Sequence, residues 1–114
     1  MDHRVIVAII RRNKLEEVEK RLRDIGIGRI TVSKVKGYGE YHDFFTRNWM
    51  VDEIRIEIFA GQDRVDTITT AIMDAAHTGL RGDGIVAVFP IEKCFRIRTR
   101  CEVTPNEFGS KGSQ

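Results

Sequence analysis

The sequence predicts an α+β sandwich in which one antiparallel sheet packs two helices on one face. Three observations predict it. Periods of two and of three-to-four alternate along the chain as strand, helix, strand, strand, helix, strand; each helical stretch carries a single apolar stripe; and 114 residues suit one core. A chain of this size buries roughly two-thirds of the surface its unfolded form exposes, enough for a core without staples. Residues 1–103 read as that domain, and the polar, glycine- and serine-bearing stretch 104–114 as a tail.

Each element has its own signal. His3 to Ile10 is rich in Val and Ile, stops at Arg11-Arg12 and reads as the first strand. From about Lys14 to Asp24, Leu15, Val18, Leu22 and Ile25 recur on one helical face, and Gly26 follows as a stop. Arg29 to Val35 alternates, with Ile30 and Val32 on one side. The stretch Lys36 to Asp52 has no clean period; a connection this long inside a compact domain usually has a task. Glu53 to Phe59 alternates sharply, with Ile54, Ile56 and Ile58 on one face. So few residues remain to cover that face that association through the sheet is expected. Asp63 reads as the N-cap of a second helix reaching about His77, with Val65, Ile68, Ile72 and Ala75 inward. Ile85 to Phe89 is the fourth strand. A last extended segment starts at Pro90 and alternates Phe95 and Ile97 with Arg96, Arg98 and Arg100. The order is that of the split βαβ, ferredoxin-like βαββαβ sandwich.

Composition excludes several classes. A net charge of +2 is too small to imply nucleic-acid binding. No apolar run approaches the roughly 20 residues of a membrane span, and the start lacks the features of a signal peptide. Cys94 and Cys101 lack metal-ligand spacing; reduced thiols in a cytoplasmic protein are the simpler reading, and a disulfide across a bend the lesser one. His3, His42 and His77 are scattered, and no nucleophile and base share a local signature, so an enzyme is not expected.

Three segments carry candidate chemistry. Lys36-Gly37-Tyr38-Gly39 follows a strand; it is either an ordinary turn or a close backbone approach to a ligand with Tyr38 over a base. Thr78-Gly79-Leu80-Arg81-Gly82-Asp83-Gly84 is either a helix cap with a tight turn, or a nest of N–H groups for a phosphate. Arg96-Ile97-Arg98-Thr99-Arg100, as a strand, lines up three guanidinium groups, which suit phosphate oxygens or simply keep an edge solvated. Two glycine-rich turns and an arginine ladder in one small domain favour a phosphate-bearing ligand.

In this order and on this fold, these segments resemble the PII family of signalling proteins, from about Val5 to Arg100. The resemblance extends to Lys14-Leu15-Glu16-Glu17-Val18, Thr31-Val32 and Ile56-Glu57-Ile58. It implies a homotrimer with adenine nucleotide in the clefts between subunits. Thr31, Gly37, Tyr38, Gly39, Glu57 and Ile58 would surround the nucleotide, Gly82, Asp83 and Gly84 would cradle phosphates, and Arg96 and Arg98 would reach in. It also implies a regulatory loop, here residues 40–52, that docks on a partner.

Departures from the family pattern modify these expectations. Leu80 and Ile85 stand where basic residues are usual, which favours ADP or AMP over ATP. Glu40-Tyr41 replaces the Arg-Gln used for magnesium and 2-oxoglutarate. The short aromatic loop, with Phe44, Phe45 and Trp49, is similar to that of carboxysome-associated, bicarbonate-linked PII-like proteins. The expected ligands are therefore ADP or AMP, with ATP a further candidate, and bicarbonate; no cofactor or metal is expected. The expected partner is an inorganic-carbon transporter or a carbon-metabolism protein. The alternatives are a nitrogen-regulatory PII protein sensing ATP and 2-oxoglutarate, an amino-acid-binding regulatory module, and a metal-binding trimer of similar fold.

Overall fold

The computed structural model describes residues 2–37 and 51–104. Four strands, β1 (His3–Arg11), β2 (Thr31–Gly37), β3 (Val51–Gly61) and β4 (Gly84–Ile91), form one antiparallel sheet in the order β2-β3-β1-β4. Helices α1 (Leu15–Asp24) and α2 (Val65–Ala76) follow β1 and β3, each through a single 3-10 turn. A two-residue hairpin, β5 (Phe95–Arg96) and β6 (Cys101–Glu102), closes the described chain. This is the ferredoxin-like sandwich expected from the alternation of periods.

Register explains the core. Ile6, Ala8 and Ile10 of β1 stand opposite Ile58, Ile56 and Ile54 of β3, so all six side chains share one face. That face is covered by Val18 and Leu22 of α1 and by Ile68, Ala71, Ile72 and Ala75 of α2, and all of these side chains are buried. The expectation that the β3 isoleucines mark an association surface is therefore corrected: the helices bury them. An exposed apolar stripe lies on the other face. There Val5 stands between Phe59 and Phe89, and Ile9 stands between Arg55 and Ile85. Phe59 and Phe89 are each 50% exposed and Ile85 is 64% exposed.

Gly26 ends α1 because the chain there requires a left-handed residue, φ +90°. Its N–H donates to the Arg23 carbonyl at 3.0 Å and the Ile27 N–H to the Leu22 carbonyl at 2.9 Å, the paired bonds of a Schellman closure. Ile27 is buried in the same core as Leu22, supplying the apolar contact that accompanies this cap. Asp63 is not an N-cap. It lies inside the 3-10 turn Gln62–Arg64, and no side chain caps either helix start, because β3 runs to Gly61 and enters the turn directly. Arg64 instead donates to the Ile25 carbonyl at 2.6 Å and ties the start of α2 to the end of α1.

β4 includes Pro90, which pairs with Arg4. Proline is tolerated because β4 is an edge strand and needs no hydrogen bond on its outer side. The last segment differs from the extended ladder expected. Phe95 and Arg96 are extended, but Ile97 to Arg100 turn back, with the Arg100 N–H donating to the Arg96 carbonyl at 2.8 Å. Val103 then bonds the Cys94 carbonyl at 2.8 Å and is buried. Only Arg96 of the three arginines is in a strand, so the guanidinium groups do not line up. Local closure satisfies backbone groups that a lone extended segment would leave to water.

Candidate functional site

The segment Thr78 to Gly84 joins α2 to β4, and Asp83 organises it. Its Oδ2 accepts the N–H groups of Thr78 and Gly79, each at 2.9 Å. Its Oδ1 accepts the Thr78 hydroxyl and the Arg11 Nε, the latter at 3.1 Å. Thr78 Oγ1 in turn accepts the Leu80 N–H at 3.1 Å. Arg11 makes a second bond, from Nη2 to the Arg81 carbonyl at 2.6 Å. The Thr78 hydroxyl first, then the backbone N–H groups of Thr78 and Gly79 and the Arg11 guanidinium, hold the Asp83 carboxyl well below the usual carboxylate range.

Two consequences follow for the phosphate nest expected here. The N–H groups of Thr78 and Gly79 already serve an anion, the Asp83 carboxylate, so Asp83 shapes the turn from within. Gly84 begins β4 at φ +104°, and a Cβ there would stand 1.8 Å from the Ile9 carbonyl oxygen. No side chain fits, which is why the turn can enter the ladder beside β1 at all.

The second group of expected residues lies across the sheet. Thr31 of β2 and Glu57 of β3 are directly opposite each other. Glu57 shares the face of Phe59 and Arg55, and accepts a bond from Arg55 Nη2 at 2.9 Å. Ile58 turns its side chain into the core. Gly37 ends β2, where a Cβ would meet Glu53 Oε1 at 3.4 Å. Tyr38 and Gly39, and the loop residues Glu40 to Met50, lie outside the described residues. Arg96 and Arg98 belong to the hairpin, with Arg98 in its turn.

These groups are not brought together within one chain. β2 and β4 are the two edges of the sheet, three strand spacings or about 14 Å apart. The hairpin departs from Ile91, the end of β4 seven residues from Gly84, or about 24 Å along the strand. Arg11 was legible only as the end of a strand. Its role depends on β1 lying beside β4, a pairing across more than seventy residues that no local pattern announces. Among the described residues, no group of three or more His, Cys, Asp or Glu side chains could hold a metal ion. Nor is any helix long and apolar enough to cross a membrane.

A ferredoxin-like domain with Gly37 at one sheet edge, the Thr78–Gly84 turn at the other and an apolar stripe on its open face has the architecture of a small regulatory domain. Comparison with known proteins narrows it: the family description "Nitrogen regulatory protein P-II" matches residues 3–101, and the chain belongs to that family. Nitrogen regulatory protein P-II of Pasteurella multocida (strain Pm70) is 40% identical over 101 residues, covering 82% of this chain and 90% of that protein. Nitrogen regulatory protein P-II 1 of Escherichia coli (strain K12) is 41% identical over the same length and coverage. Among solved structures, that of Arabidopsis thaliana PII bound to citrate superposes with a TM-score of 0.75 at 29% identity, covering 90% of this chain and 86% of that one. Proteins of this family are regulators of signalling rather than enzymes.

Proposed function

We propose that this P-II family member is a cytoplasmic signal-transduction regulator that binds adenine nucleotide in clefts between copies of the chain. Residues 40–52 would carry the state of that site to a partner protein. One observation carries the reading: the candidate residues divide between opposite sides of a sheet whose open face carries an exposed apolar stripe. A nucleotide that needs Thr31, Gly37 and Glu57 at one end and the Thr78–Gly84 turn at the other must draw them from two copies. Burying Phe59, Phe89 and Ile85 between copies, as a homotrimer, would bring such edges together.

The names of the curated relatives support the nitrogen-regulatory reading, with ATP and 2-oxoglutarate as effectors, better than the carbon-linked one. A second reading, with ADP or AMP favoured and bicarbonate as effector, draws on the exposed apolar Leu80 within the turn and Ile85 just after it. Neither side chain can neutralise an outer phosphate.

Calorimetric titration of the purified protein with ATP, ADP and AMP, each with and without 2-oxoglutarate and with and without bicarbonate, tests both. Magnesium-ATP binding strengthened by 2-oxoglutarate supports the nitrogen-regulatory reading. ADP or AMP binding strengthened by bicarbonate and indifferent to 2-oxoglutarate supports the second. Absence of binding by all three nucleotides would overturn the proposal.

A further inference from the structure

We infer that Arg11 is a positioning residue that sets how many phosphate charges the Thr78–Gly84 turn accepts. The inference rests on the nucleotide reading above and names a determinant of the same site.

Gly82, Asp83 and Gly84 are the residues expected to cradle phosphates, and of these the ionised Asp83 carboxylate would itself repel a phosphate. Its depressed titration keeps it charged throughout the neutral range. The cation in direct contact with it is Arg11, with Nε 3.1 Å from Oδ1. Both side chains are about three-quarters buried, at 25% and 24% exposure, so their pairing is less screened than a surface pair. Arg11 does more than neutralise. Its Nη2 bond to the Arg81 carbonyl, at 2.6 Å, turns that oxygen toward the guanidinium. One planar fork therefore fixes both a side chain and a main-chain dipole of the turn.

Position supports the role. Arg11 ends β1 on the open face, in register with Glu53 of β3, and Glu53 Oε1 is the atom nearest the Cβ position of Gly37. A row of ionisable groups, Glu53, Arg11 and Asp83, thus runs from the β2 side of the sheet end to the β4 side. Arg11 is the positive member between two carboxylates. Removing its charge leaves the row with two negative groups, a change felt more by a ligand with more phosphates.

The test compares Arg11→Gln with Arg11→Lys, titrated with AMP, ADP and ATP at low and at physiological salt, with folding checked by circular dichroism and thermal melting. Arg11→Gln should weaken ATP on the order of tenfold or more, ADP less and AMP least, with the grading flattened by salt. Arg11→Lys should abolish the grading and leave a smaller loss equal for the three nucleotides, because it restores charge but not the two-point fork. Unchanged affinities in Arg11→Gln, or equal losses for all three nucleotides in both variants, would overturn the inference. In that case wild-type binding still stands for the proposed function. If the wild-type protein binds none of the nucleotides, both fall together.

Discussion

Asp83 accepts hydrogen bonds from two backbone N–H groups, a hydroxyl and a guanidinium, all within a seven-residue turn and the neighbouring strand. Such bonds favour the ionised form, so the folded carboxyl titrates below the unfolded value near 3.8. The sign of the stability effect follows. The contribution is fully present above the unfolded value and is lost as the pH falls through the folded one. Replacing Asp83 by Asn should therefore destabilise by a constant amount from pH 8 to pH 5, and the gap to wild type should narrow below about pH 4. Urea unfolding at stepped pH checks this; a gap that stays constant to pH 3 would mean that the carboxylate's charge is irrelevant to the turn. The glycines around Asp83 were visible in the sequence as a turn or a nest. Which of these they form depends on a carboxylate whose partners, Thr78 and Arg11, come from a helix end and a distant strand.

At the scale of elements, the two helices and β3 were legible because burial repeats with each element's own period, and the other strands from short Val- and Ile-bearing runs. Boundaries shifted where register extended a strand: β3 gains residues at both ends because β1 and β2 pair with it. The hairpin was not legible as such. Alternating Phe95, Arg96, Ile97 and Arg98 imitates a strand, whereas the turn rests on Arg100 at φ +61°, a conformation that favours glycine. Arg100→Gly should relieve that strain and stabilise the hairpin by about 0.5–1 kcal/mol, net of glycine's greater entropy loss on folding. The readout is hydrogen exchange of the Val103 N–H, which bonds Cys94 across the hairpin. Exchange should slow by roughly twofold to fivefold, and faster exchange would mean that Arg100 contributes more through its side chain than it costs in backbone strain.

At the scale of the molecule, one face of the sheet is closed by helices and the other is open. The open face combines Val5, Phe59 and Phe89 in one rung with Ile9 and Ile85 in another, an apolar stripe that a monomer would leave in water. Phe89→Glu places a charge in that stripe without touching the helix-covered core. If copies associate through this face, the variant should run as a 13.1 kDa monomer in sedimentation or light scattering while wild type runs as a trimer. It should also lose nucleotide affinity, because the two half-sites part. A trimer that survives the substitution would remove the open face as the interface.

The sequence by itself determined the α+β class, the order of elements, the inward faces of both helices and the family, because these depend on short-range periodicity and on motifs contiguous in the chain. Tertiary structure decided which sheet face the β3 isoleucines occupy, that the turn's own carboxylate holds its N–H groups, and that Arg11 reaches them. It also decided that Gly37 and the Thr78–Gly84 turn stand at opposite edges of the sheet. Each of these depends on strand order and register, which are set by pairings between residues far apart in sequence.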